Sequence, residues 1–290
     1  MFLNCHTSFS FKFGTLSPQN LFNEARRCGV RKLVLTEINN TSSYIEMVRL
    51  CEENKAEYEL EIALGIEFRK GNKLLYIALA QNNKGFEEIN RFLSYHNTEN
   101  IPLPDRAPEL EHAFIIYPLF NAAELLRDNE FVGIRLQELT KPASRSFPSE
   151  KLIAWHPVTF GPPKTDYNIH RLLRAIDNNT LLSKLPLHEQ AHPNEVMMPE
   201  QELRNYYRNY PQLLHNTQGL LEKCHIDVSL GTDKNKKTFT GRETDDWDFL
   251  VGRSWEGFGN RYDSSNPVMR ERFNRELEII RQKNGGDVAA

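Results

Sequence analysis

Residues 9–40 read FSFKFGTLSPQNLFNEARRCGVRKLVLTEINN, and the order of elements in them decides the fold. Ser17-Pro18 is an N-cap followed by proline at the first helical position. Leu21, Ala25 and Cys28 fall on one face of the helix that follows, and Gly29 ends it. Lys32–Thr36 (KLVLT) is then a strand of the buried type. Upstream, Phe2–Cys5 is a short apolar start. Downstream, Thr41 or Ser42 can cap a second helix, with Ile45, Val48 and Cys51 facing inward. Ile62–Phe68 (IALGIEF) and Leu74–Ala80 (LLYIALA) are strands joined by a hairpin turn at Lys70-Gly71-Asn72. A helix from about Gly85 to Tyr95 and a polar, proline-bearing loop over Asn97–Pro108 come next. Ala113–Tyr117, Phe131–Arg135 and Lys151–Trp155 are three further strands. Strands alternating with helices predict an α/β fold, with a parallel sheet or a barrel.

After Asn168 the pattern turns helical: Ile169–Leu182, Glu200–Tyr207, Pro211–Cys224, Asp245–Tyr262 and Pro267–Lys283 all carry the helical period. Asn266-Pro267 repeats the cap-plus-proline start. The expected organisation is a barrel with closing helices over 1–232, a polar, basic linker over 233–244, and an incomplete second unit over 245–290. No internal repeat and no low-complexity tract interrupts it.

The chain has 290 residues, 39% hydrophobic and 26% charged, enough for a real core. Thirty-six Lys+Arg against 39 Asp+Glu give a formal charge of −3, which excludes a broadly basic nucleic-acid coat. The longest apolar runs, Leu74–Ala80 and Phe114–Phe120, fall far short of the ~20 residues of a membrane helix. No signal peptide is visible at the N-terminus, and the expected location is the cytoplasm. Cys5, Cys28, Cys51 and Cys224 form no close pair, so they read as reduced, mostly buried thiols rather than a zinc ribbon or disulfide set.

In an α/β barrel, reactive groups gather where strands end. Those positions hold Asn4, Cys5, His6 and Thr7; Thr36, Glu37, Ile38 and Asn39; Glu67; Tyr117; and Trp155, His156, Pro157 and Thr159. One imidazole and two carboxylates from separate strands, His6, Glu37 and Glu67, could form part of a zinc or manganese site. The plainer reading of each is a satisfied polar residue at a barrel rim. Lys234, Lys236 and Lys237 could touch a phosphate backbone, against the plainer reading of a solvated basic linker. His170, Arg171 and Arg174 are expected on a surface helix face. Phe9, Phe11 and Phe13 alternate as in an extended loop over the barrel mouth. His188, His192, His215 and His225 lack metal-ligand spacing, and Asp245-Asp246 reads as helix-start charge.

His6-Thr7 after the apolar start, residues 9–40 and ALGIEF together resemble the polymerase and histidinol phosphatase (PHP) domain. The likeness is to the version at the N-terminus of bacterial C-family DNA polymerases, the DNA polymerase III alpha subunit. KLIAWHPVTF…NIHRLLRAIDNNTLLSKL is similar to that family's last barrel strand and next helix. ELRNYYRNYPQLLHNTQGLLEKCHIDVSLG is similar to its closing helices, and DFLVGRSWEGFGNRY…MRERFNRELEIIRQKN to the segment leading toward the polymerase palm. The resemblance covers residues 1 to about 284.

It implies a distorted (β/α)7 PHP-type barrel with a metal cluster at the strand ends. Members with an intact site open with His-x-His; here the triplet is Asn4-Cys5-His6. The Asp-His after the second strand is Glu37-Ile38, the third-strand glutamate is Glu67, and the late Asp-x-His falls on Pro157-Val158-Thr159, with His156 one position off. The ligands around Tyr117 cannot be matched. The resemblance therefore implies a vestigial metal site at Asn4, His6, Glu37, Glu67 and His156, and a barrel serving as a structural platform. Its implied partners are the rest of a polymerase core and, in some lineages, a proofreading exonuclease. No tightly bound cofactor is expected in this chain. Magnesium and DNA belong to a parent polymerase whose catalytic aspartates lie downstream, and zinc or manganese enters only if the barrel site is functional. Gly285–Ala290 departs from the family pattern, an ending that a truncation, a gene fragment or a frameshift would produce. The rival expectation is a stand-alone PHP-type metal-dependent phosphoesterase, which needs the late Asp-x-His. A sugar- or amide-directed barrel hydrolase ranks last for want of paired carboxylates.

Overall fold

The computed structural model describes residues 1–122, 125–141, 146–161, 164–228, 230–231 and 238–285. The chain forms two compact units, Met1–Leu230 and Gly231–Ala290. In the first, the chain order is β1 (Phe2–Cys5), α1 (Pro18–Cys28), β2 (Lys32–Ile38), α2 (Tyr44–Glu53), β3 (Glu61–Lys70), β4 (Lys73–Ala80), α3 (Asn83–Thr98), β5 (Ala113–Pro118), β6 (Glu130–Ile134), β7 (Leu152–Ala154), α4 (Lys164–Asp177), α5 (Glu200–Tyr206) and α6 (Pro211–Lys223).

Local chemistry sets the first of these. Ser17 Oγ accepts from the Asn20 N–H at 3.1 Å, Pro18 opens α1, and Gly29 closes it with φ 70°, a left-handed conformation glycine adopts without strain. The seven strands pair in chain order. β1, β2 and β3 are parallel, as are β5, β6 and β7. The sheet is not wholly parallel: β4 runs antiparallel to both β3 and β5. The turn after Lys70 is too short for a parallel crossover, so the strand after it must reverse.

Past β7 the chain returns to β1. Cys5 and Val158 form a single parallel bridge, in which the His6 N–H donates to Val158 O (2.8 Å) and the Val158 N–H to Asn4 O (2.9 Å). The sheet thus curls into a distorted barrel whose seam is one bridge wide. Strand alternation sorts the core into two layers. Leu3, Val34, Ala63, Ile77, Ile116, Ile153 and Trp155 cluster on one face. Leu33, Leu35, Ile62 and Leu64 pack on the other, against Leu21, Ala25 and Met47 of α1 and α2.

Two expectations for this unit are corrected. Residues 9–13 form turns rather than an extended loop: Lys12 has φ 57°, Phe11 is exposed, and Phe13 alone of the three aromatics is buried. His170 and Arg174 are buried, not on a surface face. The segment between α4 and α5 folds over them, and Arg174 meets Glu189, Asp177 and Asn72. All four cysteines are free, and three are buried.

The second unit contains α7 (Glu243–Arg261) and α8 (Pro267–Gly285). Phe273 packs on Trp255 and Phe258, with ring centroids 4.6 and 4.7 Å apart. Asp246 accepts from the Phe239 and Thr240 N–H groups, so this acidic pair lies in the first turn of α7, where negative charge meets the positive end of the helix dipole. Lys234, Lys236, Lys237 and residues 286–290 lie outside the described residues. No helix among the described residues is long and apolar enough to cross a membrane.

Candidate functional site

Polar side chains meet inside the barrel where the strands end. Asn4, at the end of β1, donates from Nδ2 to Thr36 Oγ1 (2.8 Å) and Glu67 Oε2 (2.9 Å), while its Oδ1 accepts from Trp155 Nε1 (3.3 Å). Glu67 Oε2 also lies 3.0 Å from His6 Nε2, and its other oxygen accepts from Arg69 Nε at 2.5 Å. On the far side of the imidazole, Nδ1 lies 3.2 Å from Thr159 Oγ1. That hydroxyl donates to Glu195 Oε2 at 2.7 Å. Glu195 Oε1 accepts from the His192 N–H (3.2 Å) and pairs with Arg135 Nη1 (3.3 Å). The Thr159 hydrogen is committed to Glu195 and both Asn4 hydrogens are engaged. Asn4 Nδ2 also lies 3.2 Å from His6 Nε2.

Burial alone would raise the Glu67 carboxyl; Arg69 and His6 beside it, with the Asn4 amide, hold it well below the usual carboxylate range. Glu195 is lowered too: burial opposes this, and Arg135, the Thr159 hydroxyl and the His192 N–H prevail. Both carboxylates are ionised and fully partnered.

The five candidate positions do not converge. Asn4, His6 and Glu67 meet; Glu37 and His156 do not join them. Strand parity separates them: Thr36 faces inward to Asn4, so Glu37 faces outward, opposite Ile66 in the register with β3. There Glu37 is held by Thr7 Oγ1 (2.5 Å), Ser10 Oγ (2.5 Å), Ser43 Oγ (2.6 Å) and the Thr7 N–H (3.2 Å), which ties the 7–10 turn to the start of α2. His156 follows the inward Trp155 and also turns outward, edge-on to Phe2, with Nε2 2.9 Å from Val196 O. Burial lowers its basicity.

Three residues of the network escaped the sequence reading. Arg69 had a legible signal, since it lies two positions after Glu67 on the same strand face. Arg135 was read only as the end of a strand. Glu195 had no signal, because it enters from the long segment between α4 and α5.

The donor set does not fit a divalent metal. Both carboxylate oxygens of Glu37 and of Glu67, both ring nitrogens of His6 and Nε2 of His156 have protein partners. Burial pushes the Cys5 thiol up, away from the thiolate a metal takes. Among the described residues, no group of three His, Cys, Asp or Glu side chains is arranged to hold an ion. A cavity of about 560 Å³ lined by Ile134, Leu139, Phe147, Tyr210 and Leu213 contains none of these polar groups.

A curled α/β sheet with its polar groups gathered at the strand ends defines the class to which the comparisons add a family. The family model for the PHP domain matches residues 3–125. The DNA polymerase III subunit alpha of Bacillus subtilis is 28% identical over 124 residues, 43% of this chain and 11% of that one. Error-prone DNA polymerase 2 of Agrobacterium fabrum is 19% identical over 307 residues, 96% of this chain and 28% of that one. The subunit alpha of Escherichia coli K12 is 27% identical over 128 residues, 41% of this chain and 11% of that one. These matches span between 11% and 28% of the relatives' own lengths. A solved structure of a candidate metal-dependent phosphoesterase from Bifidobacterium adolescentis overlays with a TM-score of 0.28 at 12% identity, covering 71% of this chain and 95% of that one, too loose a likeness to carry an argument. Residues 3–125 thus match the PHP domain, and 43% of the chain is similar to a DNA polymerase III subunit alpha.

Proposed function

We propose that this chain is the N-terminal PHP portion of a bacterial DNA polymerase III alpha-type subunit, and that its barrel is a structural and partner-docking platform without hydrolase activity. The observation that carries the reading is the full engagement of Glu67, His6 and Asn4 with one another and with Arg69, Thr36 and Thr159. Metal-assisted hydrolysis needs open coordination positions and an activated water. A carboxylate already paired with a guanidinium supplies neither. On this reading residues 1–232 form the platform, 233–244 a basic linker, and 245–290 the start of the polymerase core. The parent protein then supplies the palm carboxylates, their magnesium and the DNA contact, and works in the cytoplasm. The rest of that core is the first partner of the platform, with a proofreading exonuclease as a second.

The test is hydrolysis of p-nitrophenyl phosphate and of a short DNA strand by the purified chain with zinc or manganese, beside a Glu67→Gln control. The expected outcome is no turnover above the control. Metal-dependent turnover that Glu67→Gln abolishes would instead establish a PHP-type phosphoesterase.

A further inference from the structure

The barrel closes through a single backbone bridge, Cys5 with Val158, yet a continuous chain of side chains crosses the same seam. It runs from Arg69 to Glu67, to His6, to Thr159, to Glu195 and to Arg135. Its steps join β3 to β1, β1 to the segment past β7, and that segment to the approach to α5. Both carboxylates are nearly inaccessible, and each terminates on a guanidinium. Both guanidinium groups also lie on aromatic faces: Arg69 is 4.1 Å from the Phe13 ring centroid and Arg135 is 4.1 Å from that of Trp155. An aromatic face holds an organic cation by its quadrupole and a planar guanidinium by stacking. It offers no lone pair to a metal ion.

We propose that these two arginines stand where divalent cations would otherwise be drawn: they neutralise Glu67 and Glu195, staple the barrel seam, and keep metal out, so that removing Arg69 opens a site for a zinc- or manganese-type cation on Glu67 and His6. This rests on the platform reading and adds what holds the platform closed. Without Arg69, the Glu67 carboxylate keeps His6 and Asn4 on Oε2 but loses the guanidinium on Oε1, and a divalent cation is the nearest replacement for that lost charge. Glu67 would supply oxygen and His6 nitrogen, donors that suit either metal.

The experiment uses the full chain, stripped of metal by a chelator, then dialysed against trace zinc or manganese. Metal content is read by elemental analysis and Tm by calorimetry. The wild-type chain is expected to hold no metal and to show the same Tm with and without it. Arg69→Met is expected to lose about 10 °C in Tm, from a buried carboxylate that has lost its guanidinium. It should regain part of that loss with zinc, at about one ion per chain, and a further His6→Gln change should abolish the regain. An Arg69→Met protein that is as stable as wild type, or destabilised but blind to both metals, overturns the proposal and leaves the platform reading standing. Metal held by the wild-type chain overturns both. Should Arg69→Met not fold, Arg69→Lys decides: it keeps the charge and is expected to fold, melt lower than wild type and exclude metal, and metal uptake by it overturns the proposal.

Discussion

Asn4, at the end of β1, donates to Glu67 and to Thr36 and accepts from Trp155. An amide can do this because it carries two donors and an acceptor without charge. Asn4→Asp would set a second carboxylate about 3 Å from Glu67 and remove both donors. The expected loss is roughly 3 kcal/mol or more, read as a shift in urea midpoint at unchanged slope. Asn4→Asp as stable as wild type would show that the amide does not support Glu67. At this scale the sequence was partly legible. His6 and Glu67 were candidates from their strand ends and Asn4 from the resemblance, and the structure brings the three together. Glu37 and His156 lie apart from them, because one residue of strand parity separates the two faces of a sheet and strand ends read without parity do not distinguish those faces. Glu195 was out of reach, since its position depends on how a long irregular segment folds back.

Elements were more legible than side-chain partners, for a physical reason: caps and apolar periods are local, whereas the network spans residues 4 to 195. Ser17-Pro18 and Gly29 bound α1 where the cap chemistry places them. Ser17→Ala is expected to lose about 1 kcal/mol, measured by denaturant unfolding, while Ser17→Asp retains the cap. β3 carries a subtler constraint. A Cβ on Gly65 would lie 2.3 Å from Ala78 O and 2.9 Å from the Thr36 methyl, so β2, β3 and β4 can keep their spacing only with glycine there. Gly65→Ala must push β4 away from β3 and shift Thr36, a partner of Asn4. An expected cost of about 2 kcal/mol follows from overpacking, and a neutral result would mean that the strand pair has slack. The mixed strand directions were legible in the hairpin at Lys70-Gly71-Asn72. The burial of α4 was not, because its cover comes from the 178–199 segment, which has no regular pattern of its own.

In the first unit, His170, His156, Glu67 and Glu195 all bias stability in one direction as pH falls. His170 donates from Nδ1 to Phe13 O (2.7 Å) and accepts at Nε2 from the Ala191 N–H (2.9 Å), so only the neutral ring satisfies both. Burial depresses it from 6.5 to about 4. The unfolded chain therefore binds a proton more readily than the folded one between those values. Stability is fully present above pH 6.5 and falls as pH drops toward 4, by up to about 3 kcal/mol from this ring. His156, also depressed by burial, adds to the same fall. Glu67 and Glu195 act lower: their folded values lie beneath the usual carboxylate range, so their contribution is present above about 4.5 and is lost as pH falls further. The expected profile is a Tm that declines between pH 6.5 and 4 and drops again below. His170→Gln removes the largest source of the first decline, so its curve should run flatter than wild type between pH 6.5 and 4.5 while the drop below 4.5 remains. Parallel curves over that window would locate the acid sensitivity elsewhere; loss of the lower drop as well would show that His170 and the Glu67–His6–Glu195 chain, joined through Phe13 against His6 and His170, unfold as one coupled group rather than as separate sites.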